Sequence, residues 1–257
     1  MVRMSERLER IASYIAAGET VADIGSDHGL LPIHLWESGK SPRVIISDIG
    51  EGPLLRAKIN TKARFPNANF DLRRGNGLES VGRSEVDAVV IAGVGGRLII
   101  DILSADADKT KSFFKYVFQP RNAADKLRKW LISEGFFIYG EALAREGRHI
   151  CEITAVLTGG HNSGGETGRA PAIGDGREGE YYRKEMRYEI SPLLFEREDP
   201  LLAEWIGGKI KKELMIAEDI EKLGKAERSR KAGERAEIRL ETLRRLRESI
   251  SARAGNL

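Results

Sequence analysis

Short apolar runs alternate with more polar stretches along the first part of the chain. The runs at residues 20–24, 43–48, 69–73, 86–92 and 113–118 have the length and composition of β-strands. The run at 86–92 is nearly continuous in apolar residues, which is typical of a strand buried on both faces of a parallel sheet. Helical segments are predicted before the first run and after the first, second and fifth runs. The pattern therefore predicts parallel strands connected by helices.

Two further strands are predicted at residues 136–141 and 149–157. The turn at residues 146–148, Glu-Gly-Arg, lies between them and indicates an antiparallel pair. Five strands followed by such a pair predict a doubly wound α/β sheet with an antiparallel edge. The same order of elements occurs in Rossmann-like methyltransferases, which is an analogy of fold and not of function.

The composition changes after residue 157. Gly, Ser, Asn and Thr dominate residues 158–180, which predicts a flexible linker or a long loop. Beyond it, apolar residues recur every three or four positions in 202–223 and again in 232–250. This spacing predicts two helices folded back as an antiparallel coiled coil. The predicted parts are an α/β domain at 1–157, a Gly-rich linker at 158–180 and a helical coiled-coil domain at 181–257.

Composition narrows the class of protein. The 257 residues are 41% hydrophobic, which permits a packed core, and the net charge is only +3. The single cysteine, Cys151, excludes an intrachain disulfide, and its apolar surroundings favour a buried strand residue over a nucleophile. A single cysteine also fits the reducing cytoplasm, which is the expected location. The N-terminus is too polar for a signal peptide, and no apolar run reaches the about 18 residues that a membrane helix needs. The four histidines form no recognisable metal-binding cluster.

The turn at residues 23–29, DIGSDHG, directly follows a buried strand and opens a helix. Ligands of α/β sheets bind at the carboxyl ends of strands, near the point where the strand order reverses. Gly25 and Gly29 let the backbone approach a ligand, but Asp27 stands where a dinucleotide-binding turn has glycine. Its carboxylate would repel a pyrophosphate and suits a cation such as S-adenosylmethionine, and Asp23 follows the same logic. The alternative is that Asp27 only caps the next helix.

Three more strand ends carry candidate ligand contacts. Asp48 ends the second strand, where an acidic residue can bind a ribose diol, unless it is a surface turn residue. Asn76, in the segment GNGL at 75–78, offers an amide that can contact an adenine edge, or it forms an ordinary Asn-Gly turn. The segment AGVGG at 92–96 favours a flat base or the methionine moiety against the backbone, with a tight strand-to-helix turn as the alternative.

The fifth strand ends in Gln119, Pro120, Arg121 and Asn122. Gln119 can hydrogen-bond a base edge and Arg121 can bind a phosphate. The alternative is a helix start with Asn122 as its cap.

Together these motifs resemble one family. The segment VADIGSDHGLLP at 21–32, with Gly52-Pro53, GNGL, AGVGG and Gln119-Pro120, is similar to the bacterial tRNA adenine-N1-methyltransferases of the TrmK family. The resemblance spans residues 5–157 and continues at 188–194 and in the tail. It implies a Rossmann-like class I methyltransferase domain with a C-terminal coiled coil. The implied reaction moves a methyl group from S-adenosylmethionine to N1 of the adenine at position 22 of tRNA.

Four positions depart from the family pattern. The family usually has Met at the position of Val94, Asp at Asn76 and Asn at Arg121, and often Glu at Asp48. The Gly-rich linker is also longer than is typical of the family.

The resemblance and the residue chemistry together give the expected site. N1 of adenine has a free lone pair, so no base is needed, but the product is cationic. Asp27 is expected to stabilise that charge, while His28 orients the base or the cofactor, or is only a helix-start residue. The expected cofactor contacts are Asp23, Gly25, Ser26, Asp27, Gly29, Asp48, Ile49, Asn76, Gly77, Ala92, Gly93, Gly95 and Gly96.

A tRNA substrate also requires cations that face its phosphates. Basic residues cluster in the tail between acidic ones, and more lie on one face of the first predicted helix. The alternative to RNA binding is a salt-bridged coiled-coil surface. The expected substrate contacts are Gln119, Pro120, Arg121, Arg7, Lys225, Arg228, Arg230 and Lys231.

Other classes of protein remain open at this point. An NAD-dependent oxidoreductase is disfavoured by Asp27 and by the lack of a Gly-x-Gly-x-x-Gly turn. A methyltransferase for another RNA, a protein or a small molecule is an alternative, against which the basic tail argues. A non-catalytic adaptor would have no need of glycine-rich strand ends. The pattern does not decide between a monomer and a homodimer.

Overall fold

A computed structural model describes residues 4–68, 70–159, 176–222 and 227–254, without the side chains at 227–229 and 253–254. The chain forms two compact units, Met1–Glu166 and Thr167–Leu257.

The first unit is built on a sheet of seven strands in the order β3-β2-β1-β4-β5-β7-β6. Neighbouring strands from β3 to β5 are parallel, whereas β7 lies antiparallel between β5 and β6. This confirms the predicted Rossmann-like sheet with an antiparallel edge. The strands are Val21–Ile24 (β1), Val44–Asp48 (β2), Asp71–Arg74 (β3), Ala88–Val94 (β4), Lys115–Pro120 (β5), Phe137–Glu146 (β6) and His149–Leu157 (β7).

Within the described part of the first unit, six helices accompany this sheet, and their bounds follow local signals. The Ser5 hydroxyl accepts a hydrogen bond from the amide of Leu8 and so caps the first helix, which buries Ile11 and Ala12. The helices are Glu6–Ser13 (α1), Leu30–Glu37 (α2), Glu51–Arg64 (α3), Gly96–Ser104 (α4), Ala107–Ser112 (α5) and Ala124–Ser133 (α6), with a turn of 3-10 helix at Gly77–Ser80.

Several elements differ from the prediction. The sixth strand continues to Glu146 instead of ending at 141 because Glu141 is a buried partner of Arg128 and the apolar Ala142 and Leu143 follow it. A buried charge therefore interrupted the apolar pattern without ending the strand. A helix at the position of α4 was expected only under the alternative interpretation of residues 92–96, and α5 and the 3-10 turn were not predicted.

The core explains why the central strands are so apolar. All residues of β1 and β5 are buried, since helices cover both faces of a parallel sheet. The strand order runs from β1 through β2 to β3 on one side, and from β4 to β5 on the other. The order therefore reverses between β1 and β4, and the carboxyl ends of these two strands flank the crevice in which α/β sheets bind ligands.

The second unit is helical. The predicted linker at 158–180 contains 160–175, which lie outside the described residues, and its last residues are already helical. Two long helices pack antiparallel: Arg239 Nε contacts Glu213 Oε2 at 2.6 Å, and Gly207 faces Arg247. The elements are Arg177–Tyr181 (α7), a π-helical turn at Tyr182–Met186, Pro192–Glu196 (α8), Leu202–Lys222 (α9) and Glu227–Ala254 (α10).

Candidate functional site

A cleft of about 690 Å³ opens at the carboxyl ends of β1, β4 and β5 in the first unit. This volume is in the range of small-molecule sites. Predicted site residues that line the cleft are Arg7, Asp23, Gly25, Ser26, Asp27, His28, Gly29, Ala92, Gly93, Gln119, Pro120 and Arg121. The cleft therefore brings together residues from the first, fourth and fifth strand ends, as the motifs predicted.

Two glycines form open surface on either side of the crevice. Gly25 follows β1 with φ of 78°, and Gly93 lies near the end of β4 with φ of 77°. Both values lie in the left-handed region that side chains disfavour. A methyl group added at either position would meet no atom within 4 Å, so that space is available to a ligand. These two positions form a cradle that any side chain would fill.

Asp23 supplies a buried carboxylate beside this cradle. It lies in β1 and is only 7% exposed, and burial raises its pKa to about 6 despite a hydrogen bond from Ser26 and the nearby charge of Arg7. The charge of Asp48 contributes to the same increase. A buried carboxylate of this kind gains more from a bound cation than an exposed carboxylate does, because water screens it less.

Asp27 and His28 are held at the rim of the cleft by residues of α3 that the sequence did not reveal. Arg56 donates two hydrogen bonds to Asp27 Oδ1, one of them at 2.8 Å from Nε. The other carboxylate oxygen lies 3.3 Å from His28 Nε2. Asn60 donates to the backbone oxygen of His28 at 2.9 Å. Asp27 is thus half-exposed and already engaged by two cationic or basic side chains.

The predicted contacts on β2 and β3 lie outside the cleft lining. Asp48 Oδ1 accepts a hydrogen bond from the Gly50 amide at 2.8 Å, and the next residue, Ile49, is largely exposed. Asn76 begins the 3-10 turn at Gly77–Ser80. A methyl group at Gly77 would lie 2.8 Å from Ile102 in α4, which gives that glycine a packing role.

Two predicted glycines after β4 also have packing contacts. A methyl group at Gly96 would lie 2.6 Å from the backbone oxygen of Ala123, and one at Gly95 would lie 3.1 Å from Asn122 Oδ1. The amide of Gly96 donates to the backbone oxygen of Asn122 at 3.0 Å. These contacts hold the start of α4 against the turn between β5 and α6.

The other half of the cleft joins α1 to the β6–β7 hairpin. Arg7 Nη1 donates to Gln119 Oε1 at 3.1 Å, and Arg7 Nε lies 3.5 Å from Glu146 Oε1. The hairpin residues were not predicted as site residues, because they come from strands whose pattern indicated only burial. Those that line the cleft are Glu146, His149, Ile150, Cys151 and Glu152.

The sequence profile of the methyltransferase domain family matches residues 4–154, more than half of the chain. The chain belongs to the methyltransferase domain family. The matched residues contain every strand of the sheet except the last residues of β7, together with the cleft.

Relatives of this methyltransferase domain carry a more detailed name. The tRNA (adenine(22)-N(1))-methyltransferase of Bacillus subtilis is 35% identical over 158 residues, which cover 62% of this chain and 66% of the relative, just under two thirds of its length. The crystal structure of the Bacillus subtilis m1A22 tRNA methyltransferase TrmK is 27% identical, with a TM-score of 0.77 over 96% of this chain and all of that one. A Streptococcus pneumoniae protein solved in complex with S-adenosyl-L-methionine is 26% identical, with a TM-score of 0.71 over 95% and 99% of the two chains.

Cys151 lines the cleft of the methyltransferase domain but is not activated. Burial raises its thiol pKa, so the thiol is protonated at neutral pH. Among the side chains that the structure describes, no three His, Cys, Asp or Glu residues are arranged to hold a metal ion. Within the described ranges, no helix has the length and apolarity needed to cross a membrane.

The predicted RNA contacts in the second unit are only partly described. Lys225 and the side chain of Arg228 lie outside the described residues. Arg230 is 72% exposed and lies 4.0 Å from Glu234, one turn away. Lys231 follows it on α10. Several other basic residues of this unit pair with carboxylates, as Arg235 does with Glu185 at 3.2 Å.

Proposed function

We propose that the chain transfers a methyl group from S-adenosylmethionine to N1 of the adenine at position 22 of tRNA. The observation that carries this proposal is the likeness to Bacillus subtilis TrmK, which extends over 96% of this chain and so includes both units. A likeness confined to the methyltransferase domain would support only the transfer of a methyl group, because that fold serves many substrates.

The residues of the cleft fit the cofactor. When bound, S-adenosylmethionine supplies a methyl group activated by a positively charged sulfur. Gly25 and Gly93 leave the space that a ligand needs against the backbone. Asp23 offers a buried carboxylate to a cation, and Asp48 at the next strand end offers an acceptor for a ribose diol. The likeness to a protein solved with S-adenosyl-L-methionine supports the same assignment.

We assign the remaining cleft residues to the substrate. N1 of adenine attacks with its own lone pair, so the cleft has to expose and align the base and needs no general base. Gln119, Arg7 and Arg121 line the cleft, and we assign Gln119 to the base edge and the two arginines to a phosphate or the base. Asp27, oriented by Arg56, and its neighbour His28 remain the proposed catalytic pair at the rim.

The adenine has to leave its stack to reach the cleft. N1 lies on the Watson–Crick edge of the base, and an enzyme cleft cannot reach that edge while the base is stacked within the folded tRNA. We infer that the antiparallel α9–α10 hairpin is a coiled coil and that its basic residues, among them Arg230 and Lys231, bind the phosphates of the tRNA. The proposed activity places the protein in the cytoplasm.

Methyl incorporation into two tRNA transcripts tests the proposal. With labelled S-adenosylmethionine, a transcript with adenine at position 22 should accept about one methyl group, whereas the same transcript with guanine there should accept none. Equal incorporation into both transcripts would refute the position. No incorporation into either, with the cofactor bound in calorimetry, would refute tRNA as the substrate.

A further inference from the structure

The half of the cleft formed by α1 and the β6–β7 hairpin contains one carboxylate that the proposed function leaves without a role. Glu146 is the last residue of β6 and pairs in register with His149 across the hairpin. It lines the same cleft as the cradle at Gly25 and Gly93. Its side chain is 41% exposed, so a ligand in the cleft can reach it.

The carboxylates that line the cleft differ in what they already bind. Asp27 accepts hydrogen bonds from Arg56, and Glu152 accepts one from Arg128 at 3.0 Å. Asp23 accepts a hydrogen bond from Ser26. Each of these three therefore has a hydrogen-bond donor of its own in the protein.

Among the residues that the structure describes, the carboxylate of Glu146 lacks such a hydrogen-bond donor. Its Oε1 has a charge contact with Arg7 Nε at 3.5 Å. Its Oε2 is shielded from solvent and has no hydrogen-bond partner in the described part of the chain. Buried carboxylate oxygens are normally hydrogen-bonded, so an orphaned one indicates a missing donor. The terminal torsion of glutamate is broad, and its rotation presents either oxygen to the cleft.

We propose that Glu146 accepts a hydrogen bond from the exocyclic amino group of the target adenine and stabilises the positive charge that methylation places on the base. The proposal rests on the proposed function, and it names a catalytic residue for the same site. It gives Glu146, at the amino group of the base, the same charge-stabilising role that is proposed for Asp27 at the rim.

The charge balance of the reaction supports a carboxylate at this position. The N1 lone pair forms the new N–C bond, and the pair of the broken C–S bond stays on sulfur, which becomes neutral. No proton is lost at N1, so one positive charge moves from the sulfonium to the base. That charge is shared between N1 and the amino nitrogen through the carbon that joins them.

The amino group therefore becomes a stronger donor as the bond forms. A carboxylate that accepts its hydrogen bond holds the transition state more tightly than the neutral substrate. Preorganised groups of this kind contribute about 100-fold to the rate of the chemical step. The carboxylate takes up no proton in this role.

The test compares two proteins on two substrates. The proteins are wild type and Glu146→Gln, and the substrates are tRNAs with adenine or with purine, which lacks the amino group, at position 22. Removing the amino group should slow methylation by wild type far more than methylation by Glu146→Gln. The ratio of the adenine rate to the purine rate should be about 100-fold larger in wild type than in the variant. Removing the amino group also makes N1 a weaker nucleophile. Because this effect slows both proteins equally, it cancels when their rate ratios are compared. Equal losses in both proteins would overturn the proposal.

A binding measurement provides a readout without catalysis. Wild type should prefer tRNA that already carries 1-methyladenosine at position 22 over unmodified tRNA, and Glu146→Gln should lose about tenfold of that preference. An unchanged preference would overturn the proposal. Glu134→Gln, an exposed change outside the cleft at the end of α6, is the matched control and should behave as wild type.

Failure of the proposed function gives a different result. If wild type does not methylate the adenine-containing tRNA, both the function and the role of Glu146 are refuted. If wild type methylates it and Glu146→Gln retains full rate, only the role of Glu146 is refuted. Should the variant be misfolded by circular dichroism, full wild-type rate on the purine substrate still contradicts the proposal.

Discussion

At the scale of single residues, Asp23 determines how cofactor binding depends on pH. Burial raises its pKa from 3.8 to about 6, so the carboxylate is protonated in acid and ionised at neutral pH. Only the ionised form attracts a cation. Affinity for S-adenosylmethionine should therefore rise about tenfold between pH 5 and 7.5 and level off above pH 6. Calorimetry across this range measures the effect, and Asp23→Asn should bind weakly with a flat profile. A flat profile in wild type would contradict this role.

The same pKa shift makes the free energy of unfolding depend on pH. The folded state binds the Asp23 proton more tightly than the unfolded state, so the group's contribution to stability falls as pH rises from 3.8 to about 6. The loss is about 3 kcal/mol at about 1.4 kcal/mol for each pH unit. A residue that costs stability at neutral pH is typical of a functional site.

Gly93 tests the cradle. Gly93→Ala should weaken S-adenosylmethionine binding at least tenfold, because the new methyl group fills open cleft space, and should destabilise the fold by about 1–2 kcal/mol, because φ is 77°. Gly135→Ala is the matched control, since Gly135 has φ of 80° and open space around it but lies outside the cleft. It should lose similar stability and bind the cofactor normally. Equal binding losses in both variants would mean that backbone strain, and not occupied space, causes the effect.

Local sequence predicted only part of the site. Asp23, Gly25 and Gly93 lie at strand ends, where a motif and its strand are adjacent in sequence. Arg56 and Glu146 belong to other elements, and only the fold brings Arg56 to Asp27 and Glu146 to the cleft. Residues whose role depends on long-range contacts leave no periodic signal in the chain.

At the scale of secondary-structure elements, one buried ion cluster joins α6 to the β6–β7 hairpin. Arg128 of α6 is 2% exposed and binds Glu141 of β6 at 2.7 Å and Glu152 of β7 at 3.0 Å. Thr154 donates to Glu141 at 3.2 Å. Since Glu152 lines the cleft, this cluster also fixes one wall of the site.

Replacement of Arg128 should strongly reduce the stability of the first unit. Arg128→Ala leaves two carboxylates without their partner, one of them fully buried, and should destabilise the first unit by about 3–5 kcal/mol in chemical denaturation. The control is Arg83→Ala, whose pair with Asp106 is half-exposed and should contribute at most about 1 kcal/mol. If both variants lost similarly little stability, the ion cluster would not be what holds α6 to the β6–β7 hairpin.

The periodic pattern predicted elements well where burial was simple. It predicted β1, β2, β4, β5 and β7 nearly to their observed bounds, since each is a short apolar run. It ended β6 too early, because a charged residue inside a strand looks like a strand end until its buried partner is known. It also missed α5, which is six residues long and mostly polar.

At the scale of the whole molecule, the helical unit is proposed to bind the phosphates of the tRNA. Replacing both Arg230 and Lys231 by Ala should weaken tRNA binding several-fold and reduce the dependence of log Kd on log salt by about 2. Cofactor affinity should not change. Lys111→Ala, an exposed change on α5 ahead of the amino end of β5, is the control. An unchanged salt dependence in the double variant would mean that these residues only form ion pairs within the helices.

The proposed activity produces one nucleoside, 1-methyladenosine, at one position of the tRNA. After incubation of tRNA with the protein and isotope-labelled S-adenosylmethionine, digestion and chromatography with mass spectrometry separate 1-methyladenosine from its isomer N6-methyladenosine. We expect label in 1-methyladenosine alone, in the fragment that contains position 22. Label in N6-methyladenosine, in another nucleoside or in another fragment would contradict it.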